Sequence, residues 1–219
     1  MTGIIKSSLA RKYAMALSGL FLVVFLMQHF IINLTSVFSK DVFNEISHFM
    51  GNNPLVQFVL QPVLIFGVIF HFIMGIILDL MNRSARDQNY AQNNGSANSS
   101  WMSRNMIWSG ITILSFLVLH FIDFWFPEMN YKYIESLPAD PNRYFDEMVH
   151  KFQNIVRVGA YVASFFFLML HLLHGFSSSF QSVGLNNKYT KSFKTFTFAF
   201  SVVIPFGFIF IALFHHLTA

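Results

Sequence analysis

Nine histidines and no cysteine set the chemistry open to this chain. Without cysteine there is no disulfide, no thiolate iron–sulfur ligation and no covalent CxxCH haem attachment, so a redox centre would be held by other side chains. Four of the histidines, His29, His71, His120 and His171, fall deep inside long apolar runs. An ionisable side chain there is costly and normally faces a bundle interior with a partner, which makes each one a candidate for function. A neutral imidazole in such a place can carry a proton, bond a neighbouring helix or ligate a metal.

Their surroundings repeat in two patterns. SGLFLVVFLMQHFI at 18–31 and SGITILSFLVLHFI at 109–122 share SG-x9-HFI, ending on His29 and His120. HFIMG at 71–75 and HLLHG at 171–175 share HxxxG, starting on His71 and His171. Gly67 precedes His71 by one turn, so Gly67, His71 and Gly75 line one helix face. Glycines beside a histidine, Gly67, Gly75 and Gly175 in this chain, leave a flat clearing where a bulky planar group can approach the backbone.

Five elements must carry these residues. The chain has 219 residues, 54% hydrophobic and 11% charged, well below the quarter charged that a soluble domain carries. Apolar runs at about 13–38, 55–80, 105–126, 152–182 and 195–217 each approach or exceed the ~20 residues that cross a bilayer. The reading is one all-α membrane domain, 1–219, of five transmembrane helices. The first run is longer than a signal-peptide core and has no small-x-small cleavage site. Lys6, Arg11, Lys12, Arg83, Arg86, Arg104, Lys188, Lys191 and Lys194 share one side with only Asp79 and Asp87, whereas the other side holds eight of the ten acids. The positive-inside rule then puts the N-terminus in the cytoplasm and the C-terminus outside, and explains the +4 charge by topology rather than by nucleic acid. The Asn/Ser-rich stretch within 84–104 reads as a polar cytoplasmic connector. In DPNRYFDEMVHKF, Asp140 and Pro141 suggest the N-cap and first turn of a helix that runs on into the fourth span.

Depth sorts the four histidines into two storeys. His29 and His120 lie nearer the outer ends of spans one and three, His71 and His171 nearer the inner ends of spans two and four. Bis-imidazole coordination of haem needs two neutral histidines from different helices facing across one plane. Two such pairs would hold two haem b groups stacked along the membrane normal. Eleven residues are close to three turns, so Ser18 and Ser109 lie on nearly the faces of His29 and His120 but about 16 Å further in, at the inner haem. Gly159 would face the outer haem with little bulk, and Arg157 lies where a cation could pair with a propionate. His174, one turn after His171, is a second candidate ligand; the parallel with HFIMG, where Met74 stands at that position, favours His171. His174 would then serve a propionate or water. His48 and His150 read as solvated, and His215 and His216 as polar anchors of span five. Zinc or di-iron is the rival metal reading, against which the spans contain no Glu-x-x-His with companion glutamates.

At these residues the chain resembles the single-chain, two-haem cytochrome b subunit of succinate:quinone oxidoreductases, the succinate dehydrogenase and fumarate reductase group. The resemblance runs through MQHFIIN, FNEISHFM, FHFIMG, SG-x9-H and LHLLHG, essentially the whole chain. It implies that His29 and His120 ligate the outer, distal haem and His71 and His171 the inner, proximal one, with His171 rather than His174 the ligand. It further implies an inner-membrane anchor docking a flavoprotein and an iron–sulfur subunit on the cytoplasmic face, which would carry FAD, the clusters and the dicarboxylate site. The quinone, menaquinone in similar two-haem members, would sit near the outer haem, in the vicinity of Gln28, Asn33, Glu45, His48 and Arg157. Asp123, three residues after His120, could relay protons there. A di-haem cytochrome b of a hydrogenase or formate dehydrogenase would share the ligands and dock another partner, and a transporter with proton-carrying histidines would share only the spans.

Overall fold

A computed structural model describes residues 7–84, 105–184 and 190–219. Most of the 84–104 connector, with Arg86, Asp87 and Arg104, lies outside the described residues, as do Lys6 and Lys188. Among the described residues there are helices and no strands. They form α1 (Ser8–Phe38), α2 (Lys40–Asn52), α3 (Val56–Ser84), α4 (Met106–Ile134), α5 (Arg143–Phe152), α6 (Ile155–Ser182) and α7 (Thr190–Thr218). Five of these, α1, α3, α4, α6 and α7, are long and apolar enough to cross a membrane. The chain is an all-α, multi-pass membrane protein.

The helices form because Leu, Ile, Val, Phe and Ala fill them almost without interruption, and in lipid only a helix satisfies its own backbone within one segment. α7 is the most enclosed: 44% of its most apolar window is buried, against none of that of α3. α6 packs along α7, and α1 joins them, so the main core lies among Phe165, Phe176, Phe200, Ile204 and Phe208. α3 rests on α1 and more briefly on α4, while α4 rests on α6. The outward faces carry Val24, Phe58, Phe66, Ile73 and Val118, apolar groups whose solvent is lipid.

Two short helices, α2 and α5, roof one end of the bundle. Ser39, extended at φ −156°, separates α1 from α2 and accepts a hydrogen bond from Val42 N–H. Buried Asn44 of α2 donates to the Asn142 carbonyl at 3.0 Å and accepts from Phe145 N–H at 2.8 Å, fastening α2 to α5. Lys40 and Asp146 add an exposed ion pair at 2.8 Å. Glu128 is bonded by both Lys132 and Arg143, and Arg143 also donates to Glu147 and lies over the ring of Tyr131. Burial opposes the Arg143 charge, but its bonds to Glu147 and Glu128 outweigh that and hold the guanidinium above its ordinary pKa. Burial and the nearby Glu128 carboxylate likewise push the Tyr144 phenol up.

Two expectations about this end do not hold. Asp140 does not cap α5: Asn142 precedes the helix, and the Asp140 carboxylate accepts from Asn142 N–H instead, at 2.8 Å. Nor does α5 run on into α6. Asn154 breaks the helix at ψ 110°, and its side chain accepts from Val156 N–H and Arg157 N–H at 3.0 and 3.1 Å, capping a new one.

Candidate functional site

His29, His71, His120 and His171 meet in two pairs, each between different helices. The His29 ring from α1 lies 5.8 Å from that of His120 on α4, the planes at 90°. The His71 ring from α3 lies 6.4 Å from that of His171 on α6, the planes at 68°. A metal held in line between two imidazole nitrogens, with bonds of about 2 Å, sets ring centres about 6 Å apart. Both separations lie near that value. Among the described residues no group of three or more His, Asp or Glu side chains converges as a metal-ion cage.

Aromatic rings enclose the His29–His120 pair. Phe25 stacks on His29 at 5.4 Å, and Phe208 approaches it at 5.8 Å. Phe116, Phe124 and Tyr161 surround His120 at 5.7, 5.1 and 6.3 Å. Nδ1 of His120 is buried without a hydrogen-bond partner. The helix bearing His120 widens to π-type turns over Phe121–Trp125, and that added residue brings Asp123 fully inside. Asp123 accepts from Tyr161 OH at 2.9 Å and pairs with Arg157 Nε at 3.1 Å. Arg157 is therefore engaged by a carboxylate of this chain.

The His71–His171 pair is held differently. Ser18 Oγ lies 2.9 Å from His71 Nδ1, and Ser109 Oγ 3.1 Å from His171 Nδ1. The following glycines stand against the same rings: a Cβ at Gly19 would be 3.3 Å from His71 Cε1, and one at Gly110 would be 3.9 Å from His171 Cε1. The methionines three residues before the serines complete a second contact. Met15 Cε lies against Gly75 and Met106 Cε against Gly175, so these two clearings hold a thioether, and Gly67 holds the ring of Phe21. A Cβ at Gly159 would meet open space. The shared unit is thus M-x2-S-G on one helix against H-x3-G on the next, used by α1 with α3 and again by α4 with α6. It was readable as MALSG at 15–19 and MIWSG at 106–110, three residues before the repeat the histidines advertise.

The remaining candidates scatter. Asn33 donates to the His29 carbonyl at 2.8 Å, its amide 3.4 Å from the ring, whereas exposed Gln28 reaches only Met50 Sδ at 3.9 Å. Glu45 is exposed. His48 meets the Asn52 amide at 3.1 Å and the edge of Tyr144, apart from His29 and His120. His174 is half-buried one turn beyond His171, and its carbonyl accepts from Ser178. The last two histidines are more than surface anchors: His215 is 2% exposed with Nε2 2.8 Å from Ser36 Oγ, and His216 Nδ1–H donates to the Phe152 carbonyl at 2.8 Å. They fasten α7 to α1 and to the end of α5. A partner on another helix, the Ser36 hydroxyl for His215 and the Phe152 carbonyl for His216, gives no sequence signal, which is why both read as interfacial.

No protein-family description, curated protein or solved structure matches the chain.

Proposed function

We propose that this chain is the di-haem b membrane anchor of a succinate dehydrogenase or fumarate reductase, linking an iron–sulfur partner subunit to a membrane quinone. The observation that carries this is the pair of cross-helix histidine contacts, His29 with His120 and His71 with His171, at ring separations suited to a shared metal. Haem b, when bound, supplies reversible one-electron carriage. His29 and His120 would hold the outer iron and His71 and His171 the inner one. Phe25, Phe116, Phe124 and Phe208 keep water from the outer pair, and Ser18 and Ser109 orient the inner pair. Asp123 neutralises Arg157 and so keeps the outer storey free of an uncompensated charge.

The resemblance of FHFIMG, SG-x9-H and LHLLHG to the succinate:quinone group favours this dehydrogenase over other di-haem cytochromes. The basic ends of the spans favour a cytoplasmic N-terminus, with the flavoprotein and iron–sulfur subunits at that face of the inner membrane and menaquinone towards the other.

The test is the reduced-minus-oxidised spectrum of the complex purified by a tag on this chain. Succinate should reduce a b-type signal of two haems per chain. A signal reduced by dithionite but not by succinate assigns the chain to another dehydrogenase or hydrogenase, and no b-type band at all removes both redox readings. His29→Ala and His120→Ala should each remove one haem and spare the other, whose loss should follow from His71→Ala or His171→Ala.

A further inference from the structure

The contacts of Ser18 and Ser109 contain a proton count. Each hydroxyl has one hydrogen and lies against two groups: Ser18 Oγ is 2.9 Å from the Met15 carbonyl and 2.9 Å from His71 Nδ1, and Ser109 Oγ is 2.8 Å from the Met106 carbonyl and 3.1 Å from His171 Nδ1. A carbonyl cannot donate, so each short oxygen–oxygen contact consumes the serine hydrogen. The second contact must then run the other way, with Nδ1–H donating to the serine oxygen. On this count each ring carries a hydrogen on Nδ1, and in the neutral form that an iron ligand requires the lone pair lies on Nε2.

We infer that Ser18 and Ser109 are positioning residues for the inner haem: each reaches across from a neighbouring helix, fixes the tautomer of His71 or His171 and leaves Nε2 as the iron ligand. This rests on the di-haem reading. It differs from a direct contact between serine and haem, because the serine acts through the ligand. Metal-bound histidine generally donates its other N–H to an acceptor that orients the ring and raises its basicity, and loss of that acceptor typically weakens metal binding about 10–100-fold. Because the serine has already given its own hydrogen to a carbonyl, its oxygen is a strengthened acceptor. A more basic imidazole favours the oxidised iron, so the serines hold the inner potential down. Gly19 and Gly110 keep the ring edge uncrowded, and the outer pair has no serine in this place: His120 Nδ1 has no partner, and His29 faces the Asn33 amide at 3.4 Å.

The inference makes a crossed prediction. Ser18 shares α1 with the outer ligand His29, and Ser109 shares α4 with the outer ligand His120, yet their substitution should alter only the inner haem. In complexes bearing Ser18→Ala or Ser109→Ala, potentiometric titration should show the inner potential shifted upward, with inner haem lost about 10–100-fold more readily on dilution in detergent. Ser18→Thr and Ser109→Thr, which keep the hydroxyl, should restore both. The unshifted outer haem in the same sample shows that the bundle is folded. If an alanine variant does not accumulate, Gly19→Ala provides the second arm: its Cβ, 3.3 Å from His71 Cε1, should tilt the ring and change the inner haem's low-spin EPR signal alone. Unchanged inner potential and retention in the alanine variants, or a shift confined to the outer haem, overturns the inference while two succinate-reducible haems leave the functional reading standing. Absence of haem from the unaltered complex defeats that reading itself.

Discussion

Asp123 is a buried charge on the helix that carries His120. Its side chain is wholly buried, Arg157 and Tyr161 share one of its oxygens, and the other oxygen is unpartnered. Removing one member of such a pair leaves a buried charge uncompensated, which commonly costs about 3–5 kcal/mol. Arg157→Leu should therefore destabilise the protein by about 3 kcal/mol, near the low end because Arg157 is itself 31% exposed. Arg157→Lys should recover part of the loss, since the charge returns without the planar fork. Thermal unfolding in detergent would check both, and equal stability of Arg157→Leu and the unaltered chain would refute the pairing. Asp123 and Arg157 were visible in the sequence as candidates, because charges near a span demand a partner. Their choice of each other was not visible, since it depends on the π-type turns after His120 that rotate Asp123 inward. Tyr161 left no signal, being one aromatic in a Phe-rich helix.

At the scale of elements, the five spans were legible because lipid imposes length and composition on any helix that crosses it. The roof was less so. α2 and α5 have ordinary mixed sequences, and their docking depends on Asn44, whose single side chain serves a donor and an acceptor of the other helix. Asn44→Ala would leave Phe145 N–H and the Asn142 carbonyl without that partner, and should lower stability by about 1–3 kcal/mol. Amide exchange would show where: protection should fall across α2 and α5 and stay unchanged in α6 and α7. A global loss instead would mean that the roof and the bundle unfold together. The break between α5 and α6 was missed for a similar reason. The apolar pattern resumes at once after Asn154, and only the geometry shows that this asparagine caps the new helix rather than riding within an old one. Asn154→Ala should accordingly lose about 1 kcal/mol, read as a drop in unfolding temperature, with Asn154→Asp retaining most of the cap.

The whole molecule poses the question of sidedness. An odd number of crossings puts the two termini on opposite faces, and the charge asymmetry of the sequence gives an expectation of which is which that labelling can test. The basic side carries Arg11, Lys12, Arg83, Lys191 and Lys194 among the described residues. The roof side carries Lys40, Lys132, Arg143, Lys151 and Arg157 beside its acids, so the basic excess of the other side, nine of the fourteen, rests on counting Lys6, Arg86, Arg104 and Lys188 from the sequence as well. Basic residues flanking spans are retained on the cytoplasmic side, and acids contribute little to that choice. The absence of native cysteine makes this testable without background, because any thiol introduced is the only one. Ser136→Cys, in the exposed turn after α4, should react with an impermeant maleimide added to intact cells or spheroplasts. Lys191→Cys, exposed in the first turn of α7, should react only after the membrane is opened. The same experiment assigns a face to each histidine storey. If Ser136→Cys labels first, His29 and His120 belong to the outer leaflet and the serine-held pair, His71 and His171, to the leaflet where electrons from a cytoplasmic partner would enter. The reverse labelling would invert the bundle and put the entry point at His29 and His120, which carry no serine.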